Sequence, residues 1–208
     1  MTGVHDLALF ILAGLLLNIT PGPDTLYIVG RSAAQGARAG AVAALGIGAG
    51  CCIHTLAAAI GLSALLLTSA TAFTVVKLAG AAYLVYIGIT LLRSKVAAEI
   101  PRKEAAAPLR RVFLQGLLTN VLNPKVALFF VAFLPQFVVP DAPHQFAALF
   151  GLGLIFNLNG TIWNLLVAVL AARGRNVLTR RTGKNWIARV TGGLVVVLGV
   201  RLAFLAPP

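Results

Sequence analysis

Hydrophobic residues in this chain form six long apolar segments separated by short polar gaps. Each segment is long enough to cross a bilayer, because about 20 mostly apolar residues in a helix span the roughly 30 Å of hydrocarbon. The pattern therefore predicts six membrane spans. They cover about Leu7–Gly30, Ala39–Leu67, Ala70–Leu92, Val112–Val139, Phe146–Ala172 and Trp186–Leu205.

Spans one and four differ from the others because a polar motif with proline interrupts each of them midway. The motif runs from Asn18 to Asp24 in the first span and from Asn120 to Lys125 in the fourth, about half the chain apart. With three spans in each half, the halves must have opposite orientations in the membrane. Inverted halves with interrupted helices indicate a secondary transporter, whose substrate site lies at the breaks. The alternative is that the prolines only kink the helices.

The predicted fold is an all-α integral membrane protein with six transmembrane helices, arranged as two inverted three-helix repeats. Helices 1 and 4 are broken at their Pro/Gly motifs, and the freed backbone groups must face protein or a water-filled cavity. Residues 1–208 form a single polytopic membrane domain. Repeat 1 covers about 1–95, a basic cytoplasmic loop about 93–111, and repeat 2 about 112–208.

Composition excludes a soluble domain and a disordered chain. Hydrophobic residues make up 59% of the sequence and charged residues 11%, whereas globular chains average about 45–50% apolar and about 25% charged. So few charges cannot cover the surface of a soluble domain, and disordered chains are poor in apolar residues. A membrane protein is the class that remains.

The distribution of positive charge predicts the topology. The chain has 17 Lys and Arg against 5 Asp and Glu, and most of the cations lie in the gaps after spans one, three and five. Because positive loops mark the cytoplasmic side, these gaps are predicted to be cytoplasmic and both termini to lie outside. None of the gaps resembles a module that reads RNA or DNA, so no nucleic-acid partner is expected.

The motifs at the breaks resemble those of the lysine-exporter/threonine-efflux (LysE/RhtB) family of bacterial amino-acid exporters. The resemblance implies six spans in the inner membrane and efflux of amino acids or related small metabolites, driven by the proton gradient. It covers almost the whole chain in order. The matching stretches are Asn18–Asp24, Gly36–Gly40, Leu45–Gly50, Lys77–Gly88 and Asn120–Lys125.

Asp24 is the one acidic residue well inside a predicted span. An ionisable group in the membrane is a functional hypothesis by default, so we expect Asp24 to bind a substrate ammonium and to couple transport to protons. The alternative is that it caps the helix that resumes after Pro23. Its counterpart Lys125 either binds a substrate carboxylate or pairs with Asp24, unless it snorkels toward a headgroup.

Neutral polar residues and freed backbone groups complete the predicted substrate site. The helix starts near Asp24 and Lys125 expose amides that can receive a carboxylate. Amides and hydroxyls in membranes either bind substrate or join helices to each other. In span five, Asn157 and Asn164 share a helix face, and Asn159 is the third amide. The predicted site comprises Asn18, Thr20, Pro21, Gly22, Pro23, Asp24, Asn120, Asn123, Pro124, Lys125 and Asn157.

Several further residues have two interpretations each. His54 is either a packing histidine or a proton relay, and Tyr83 and Tyr86 either pack or line the cavity. Adjacent Cys51 and Cys52 are interpreted as small packing residues. The pair Gly46-x-x-x-Gly50 serves either internal packing or a homodimer face.

The function predicted from the sequence is proton-coupled efflux of a small zwitterionic or cationic metabolite, with no enzyme activity, cofactor or bound metal. Divalent metal export is an alternative, but it would require several ligands at the midplane. A membrane-embedded enzyme is disfavoured because no Ser-His-Asp set or metalloprotease motif is present. A membrane scaffold would leave the paired helix breaks unexplained.

Overall fold

A computed structural model describes residues 3–68, 106–139 and 143–173, together with scattered helical positions within 75–92 and 193–200. Across these residues every regular element is helical, and one isolated antiparallel bridge joins Val4 to Val138. The helices are α1 (Leu7–Ile19), α2 (Pro23–Gln35), α3 (Ala37–Thr68), α4 (Leu109–Val121), α5 (Pro124–Leu128) and α6 (Gln145–Arg173).

The predicted all-helical membrane class is confirmed for this part of the chain. Within α3, Ala37–Leu62 is long and apolar enough to cross a membrane, and so is α6. The α1–α2 pair and the pair Leu109–Val121 with Pro124–Phe137 also qualify, each as one bent span. Apart from a few helical positions, predicted spans three and six (70–92 and 186–205) lie outside the described residues.

Both predicted helix breaks are present, and proline explains their position. Proline lacks the N–H that a helix needs, and its ring clashes with the preceding turn. The α1 helix ends before Pro21, and α2 resumes with Pro23 at its first turn after an extended Gly22, at an angle of 52°. The α4 helix ends before Asn123, and α5 begins at Pro124, at an angle of 46°.

The second half of broken span four is less regular than the sequence predicts. A wide π turn covers Phe129–Phe133, and a tight 3₁₀ turn covers Leu134–Phe137. Pro135 lies in the 3₁₀ turn and cannot donate a hydrogen bond to the carbonyl four residues earlier. A regular α-helix would therefore lose one hydrogen bond at this point.

Glycines bring α3 and α4 into close contact. A Cβ added to Gly50 would lie 2.7 Å from the Leu117 carbonyl oxygen, and one added to Gly46 would overlap the Phe113 carbonyl oxygen. Backbones approach this closely only where side chains are absent. The Gly46-x-x-x-Gly50 pair is therefore an internal packing surface, which decides between its two interpretations.

Two buried clusters lie on either side of the breaks. An aromatic cluster includes Phe10, Phe129, Phe130, Phe133, Phe137 and Phe156. A smaller aliphatic cluster includes Ile28, Ala43, Ala44, Ile47, Val112 and Ala168. Near the aliphatic cluster, α2 is joined to α4, because the Tyr27 hydroxyl donates to the Val112 carbonyl at 2.9 Å and Arg31 donates to Gln115 at 2.9 Å.

Candidate functional site

The two helix breaks lie against each other. Asn120, in the last turn of α4, donates from Nδ2 to Oδ2 of Asp24 in the first turn of α2, at 2.8 Å. Lys125, in α5, reaches the end of α1. These contacts join residues 96 to 108 positions apart and bring the two breaks together.

Lys125 binds the carbonyls that the first break leaves free. In a continuous helix the Leu17 carbonyl would accept from residue 21, but Pro21 has no N–H. The Lys125 ammonium donates instead to the Leu17 carbonyl at 3.1 Å and to the Thr20 carbonyl at 2.9 Å. Lys125 and Asp24 do not form a direct ion pair. Among the described residues, the one ion-pair contact joins His5 to Asp6. Snorkelling is also wrong, since Lys125 is 7% exposed.

His54 contacts the second break. The Asn120 carbonyl, which cannot accept from Pro124, accepts from the Asn123 backbone N–H at 2.9 Å. His54 Nε2 lies 3.0 Å from the same carbonyl oxygen. Because a carbonyl oxygen only accepts, His54 carries a proton on Nε2 and donates it. Its ring stacks on Phe130 with centroids 5.9 Å apart. His54 therefore packs on Phe130 and binds a backbone carbonyl, whereas its interpretation as a proton relay stays a prediction.

Asp24 is buried, and one of its carboxylate oxygens has no hydrogen bond. The side chain is 9% exposed, and Oδ1 has no partner. The capping alternative is wrong, because Gly22 occupies the N-cap position of α2 and Asp24 lies inside the first turn. A negative charge in the first turn is stabilised by the helix dipole. The carboxylate is thus held by Asn120 through one oxygen, while the other oxygen is buried without a hydrogen bond.

A cavity lies at the junction of the breaks. Its empty space is about 430 Å³ including the open mouth. Among the residues that line it, two further buried atoms have no hydrogen bond, Asn18 Nδ2 and Asn120 Oδ1. Five predicted site residues line the cavity: Asn18, Asp24, Asn120, Lys125 and Asn157.

One face of α6 forms the opposite wall of the cavity. Asn157 Nδ2 donates to the Gly48 carbonyl and to Cys52 Sγ, both at 3.1 Å, and Thr161 donates to Asn157 Oδ1 at 3.3 Å. Asn164 follows on the same face and also lines the cavity. Thr161 was not among the predicted site residues, although its position one turn after Asn157 could have identified it.

The other predicted site residues shape the breaks without lining the cavity. The Thr20 hydroxyl donates to the Leu16 carbonyl at 2.7 Å, within its own helix. Asn123 Oδ1 accepts from the Lys125 backbone N–H at 3.0 Å and so caps α5. Because that amide is occupied, it is not free to receive a carboxylate. The residues in this group are Thr20, Pro21, Gly22, Pro23, Asn123 and Pro124.

Residues with open interpretations divide into two groups. Cys51 lines the cavity, so the description of it as a packing residue alone is incomplete. Asn159 is half-buried and Tyr86 is exposed, and neither lines the cavity. Tyr83 lies outside the described residues. Among the described side chains, no three His, Cys, Asp or Glu come together in a group that could hold a metal ion.

Comparisons with known proteins agree with this architecture. The chain is 28% identical to the leucine efflux protein of Salmonella typhimurium (strain LT2) over 202 residues, which cover 97% of this chain and 94% of that protein. An uncharacterized membrane protein of Pseudomonas aeruginosa is 30% identical over 213 residues, which cover 97% of this chain and 96% of that protein. The uncharacterized membrane protein YrhP of Bacillus subtilis is 28% identical, with 95% of this chain and 98% of that protein covered.

No solved structure matches the chain. The sequence model of one family, described as LysE type translocator, matches residues 15–205. The match includes both helix breaks and the whole junction between them. This chain therefore belongs to the LysE type translocator family.

Proposed function

We propose that this protein is a secondary-active exporter of amino acids or related small metabolites, and that it works by proton antiport. The observation that carries the proposal is the buried Asp24 carboxylate. It lies at the junction of two broken spans, lines the cavity and keeps one oxygen without a hydrogen bond. A buried polar atom without a partner costs about 1–3 kcal/mol, so a ligand that satisfies it gains affinity.

The polar atoms at the junction fit a zwitterion. Asp24 Oδ1 and Asn120 Oδ1 are acceptors without partners, and an ammonium group needs acceptors. The orientation of the Asn120 amide follows from its bond to Asp24, because a carboxylate accepts and only the amide nitrogen can donate to it. Asn18 Nδ2 is a donor without a partner and is available to a carboxylate. In this arrangement Asn157 and Lys125 complete the polar wall of the substrate site.

Asp24 also couples export to protons in this proposal. An unpaired charge in the middle of a membrane is expensive. On the outward leg the carboxylate is paired with the substrate ammonium, and on the return leg it carries a proton. Asp24 can therefore face the two sides of the membrane in turn without carrying an unpaired charge. One proton enters the cell for each substrate that leaves.

The full architecture in this proposal has six spans in two inverted repeats, in the bacterial inner membrane with both termini outside. The two bent spans support the repeat, because their bends of 52° and 46° occur at corresponding motifs. The basic gaps support the orientation, because positive loops stay in the cytoplasm.

Leucine is the first substrate to test, because relatives with 28% identity are named leucine efflux protein. The full-length protein is reconstituted in liposomes that are loaded with labelled leucine and given an acidic exterior. We expect leucine efflux above that of protein-free liposomes and faster with the pH gradient than without it. Other amino acids, trapped in turn, define the substrate range. If no amino acid leaves faster than from protein-free liposomes, the proposed function is wrong, and if the gradient has no effect, the coupling is wrong.

A further inference from the structure

Each of the two prolines at the breaks removes the α-helical donor of one carbonyl, and each of these carbonyls binds a basic side chain from the other half of the chain. Pro21 cannot donate to the Leu17 carbonyl in the first half, and Lys125 from the second half binds it. Pro124 cannot donate to the Asn120 carbonyl in the second half, which accepts from the Asn123 N–H at 2.9 Å and from His54 of the first half at 3.0 Å. In both cases the basic side chain comes from the opposite half.

The Lys125 contact closes the end of α1. Its ammonium donates to two carbonyls of the last turn at 2.9 and 3.1 Å, and a cation at a helix C-terminus is stabilised by the helix dipole. Gly22 leaves room for this side chain, since a Cβ at that position would lie 3.2 Å from Lys125 Nζ. With two of its three donors occupied at α1, Lys125 holds α1 against α5.

The His54 contact fixes the residue that holds Asp24. The same Asn120 that accepts from His54 through its backbone carbonyl donates to Asp24 Oδ2 through its side chain, at 2.8 Å. A shift of the Asn120 backbone therefore moves the carboxylate contact as well. His54 also packs on Phe130, so its Nε2 donor and its ring make separate contacts that different substitutions can remove.

We propose that Lys125 and His54 are positioning residues, each of which binds the carbonyl that loses its α-helical donor to proline in the opposite half, and that the two contacts together set the geometry of the cavity. This inference deepens the proposed transport function, because one of its readouts is leucine efflux. Its other readout, the unfolding equilibrium of the full chain in detergent micelles, does not depend on transport.

The first experiment is a pair of double-mutant cycles measured by unfolding. Lys125→Met removes the ammonium and keeps the side-chain length, and we expect it to lower the ratio of folded to unfolded protein about tenfold, as expected for hydrogen bonds to a charged group. Pro21→Ala restores an N–H and lets α1 continue, so in that background the effect of Lys125→Met falls below about threefold. His54→Phe with Pro124→Ala forms the second cycle. If the effects of the paired substitutions are simply additive in both cycles, the proposal is overturned.

The second experiment separates positioning from stability by efflux from liposomes. His54→Phe keeps the ring and loses the donor, and we expect the half-saturating leucine concentration to rise about tenfold. His54→Gln keeps a donor and loses the ring, and it restores the half-saturating concentration to within about threefold. Equal half-saturating concentrations for all three proteins contradict the proposal for His54. If the wild type exports no amino acid, the proposed function fails, whereas the unfolding cycles still test the two contacts.

Discussion

Replacing Gly50 with alanine tests whether the contact between α3 and α4 sets the position of Asn120. The new Cβ would lie 2.7 Å from the Leu117 carbonyl oxygen and 2.9 Å from Asn120 Cβ. The nearest atoms are backbone and Cβ atoms of α4, so no flexible side chain can simply turn away. The two helices must therefore separate, and Asn120 must move relative to Asp24.

The cost of this substitution follows from the distances. Ordinary van der Waals contact begins at 3.4 Å, so the helices must separate by about 0.7 Å at this point. Overpacking of this kind costs about 1–3 kcal/mol, and alanine in a helix regains up to about 1 kcal/mol relative to glycine. A net loss of about 1–2 kcal/mol lowers the ratio of folded to unfolded protein roughly 5- to 30-fold.

The assay is equilibrium unfolding of the full-length protein in detergent micelles, with leucine efflux measured in parallel. Gly61→Ala is the matched control in the same helix, because nothing lies within 4 Å of a Cβ there, and it should only gain the up to about 1 kcal/mol that alanine contributes relative to glycine in a helix. We expect Gly50→Ala to lose both stability and efflux. Equal stability of Gly50→Ala and Gly61→Ala would refute the tight contact.

Two further substitutions test other contacts of the site. Tyr27→Phe removes the hydroxyl that donates to the Val112 carbonyl at 2.9 Å, and it should lower the free energy of unfolding by about 1 kcal/mol. An unchanged unfolding midpoint would contradict this. Asn157→Ala removes an amide that lines the cavity, and it should raise the half-saturating leucine concentration about 5- to 10-fold. Asn159→Ala, outside the cavity, is the control, and equal values for both variants would exclude Asn157 from the site.

The helix breaks could be predicted from the sequence because their causes are local. Proline and glycine act on the residues next to them in the chain, so Pro21, Pro23 and Pro124 locate both interruptions. The apolar segments likewise predict α3 and α6 closely, since the length of a membrane helix is set by the bilayer. The π turn at Phe129–Phe133 was missed, because hydrophobicity does not distinguish helix types.

The contacts between the halves could not be predicted in the same way. Whether Lys125 binds Asp24 or the α1 carbonyls depends on the relative position of two segments about 100 residues apart. Either partner would accept hydrogen bonds from the ammonium and stabilise its positive charge. Thr161 lines the cavity because of the rotational phase of α6, which its neighbours determine through packing. Composition could identify Asp24 as unusual, whereas only the fold shows which of its oxygens is free.

The most direct test of the central claim is leucine efflux by Asp24→Asn in liposomes with and without an acidic exterior. Asparagine has nearly the shape of aspartate but carries no negative charge and takes up no proton at neutral pH. We predict that the pH gradient accelerates efflux by the wild type and has no effect on the variant, while the variant remains folded by its unfolding midpoint. Full gradient-driven efflux by Asp24→Asn would contradict the account.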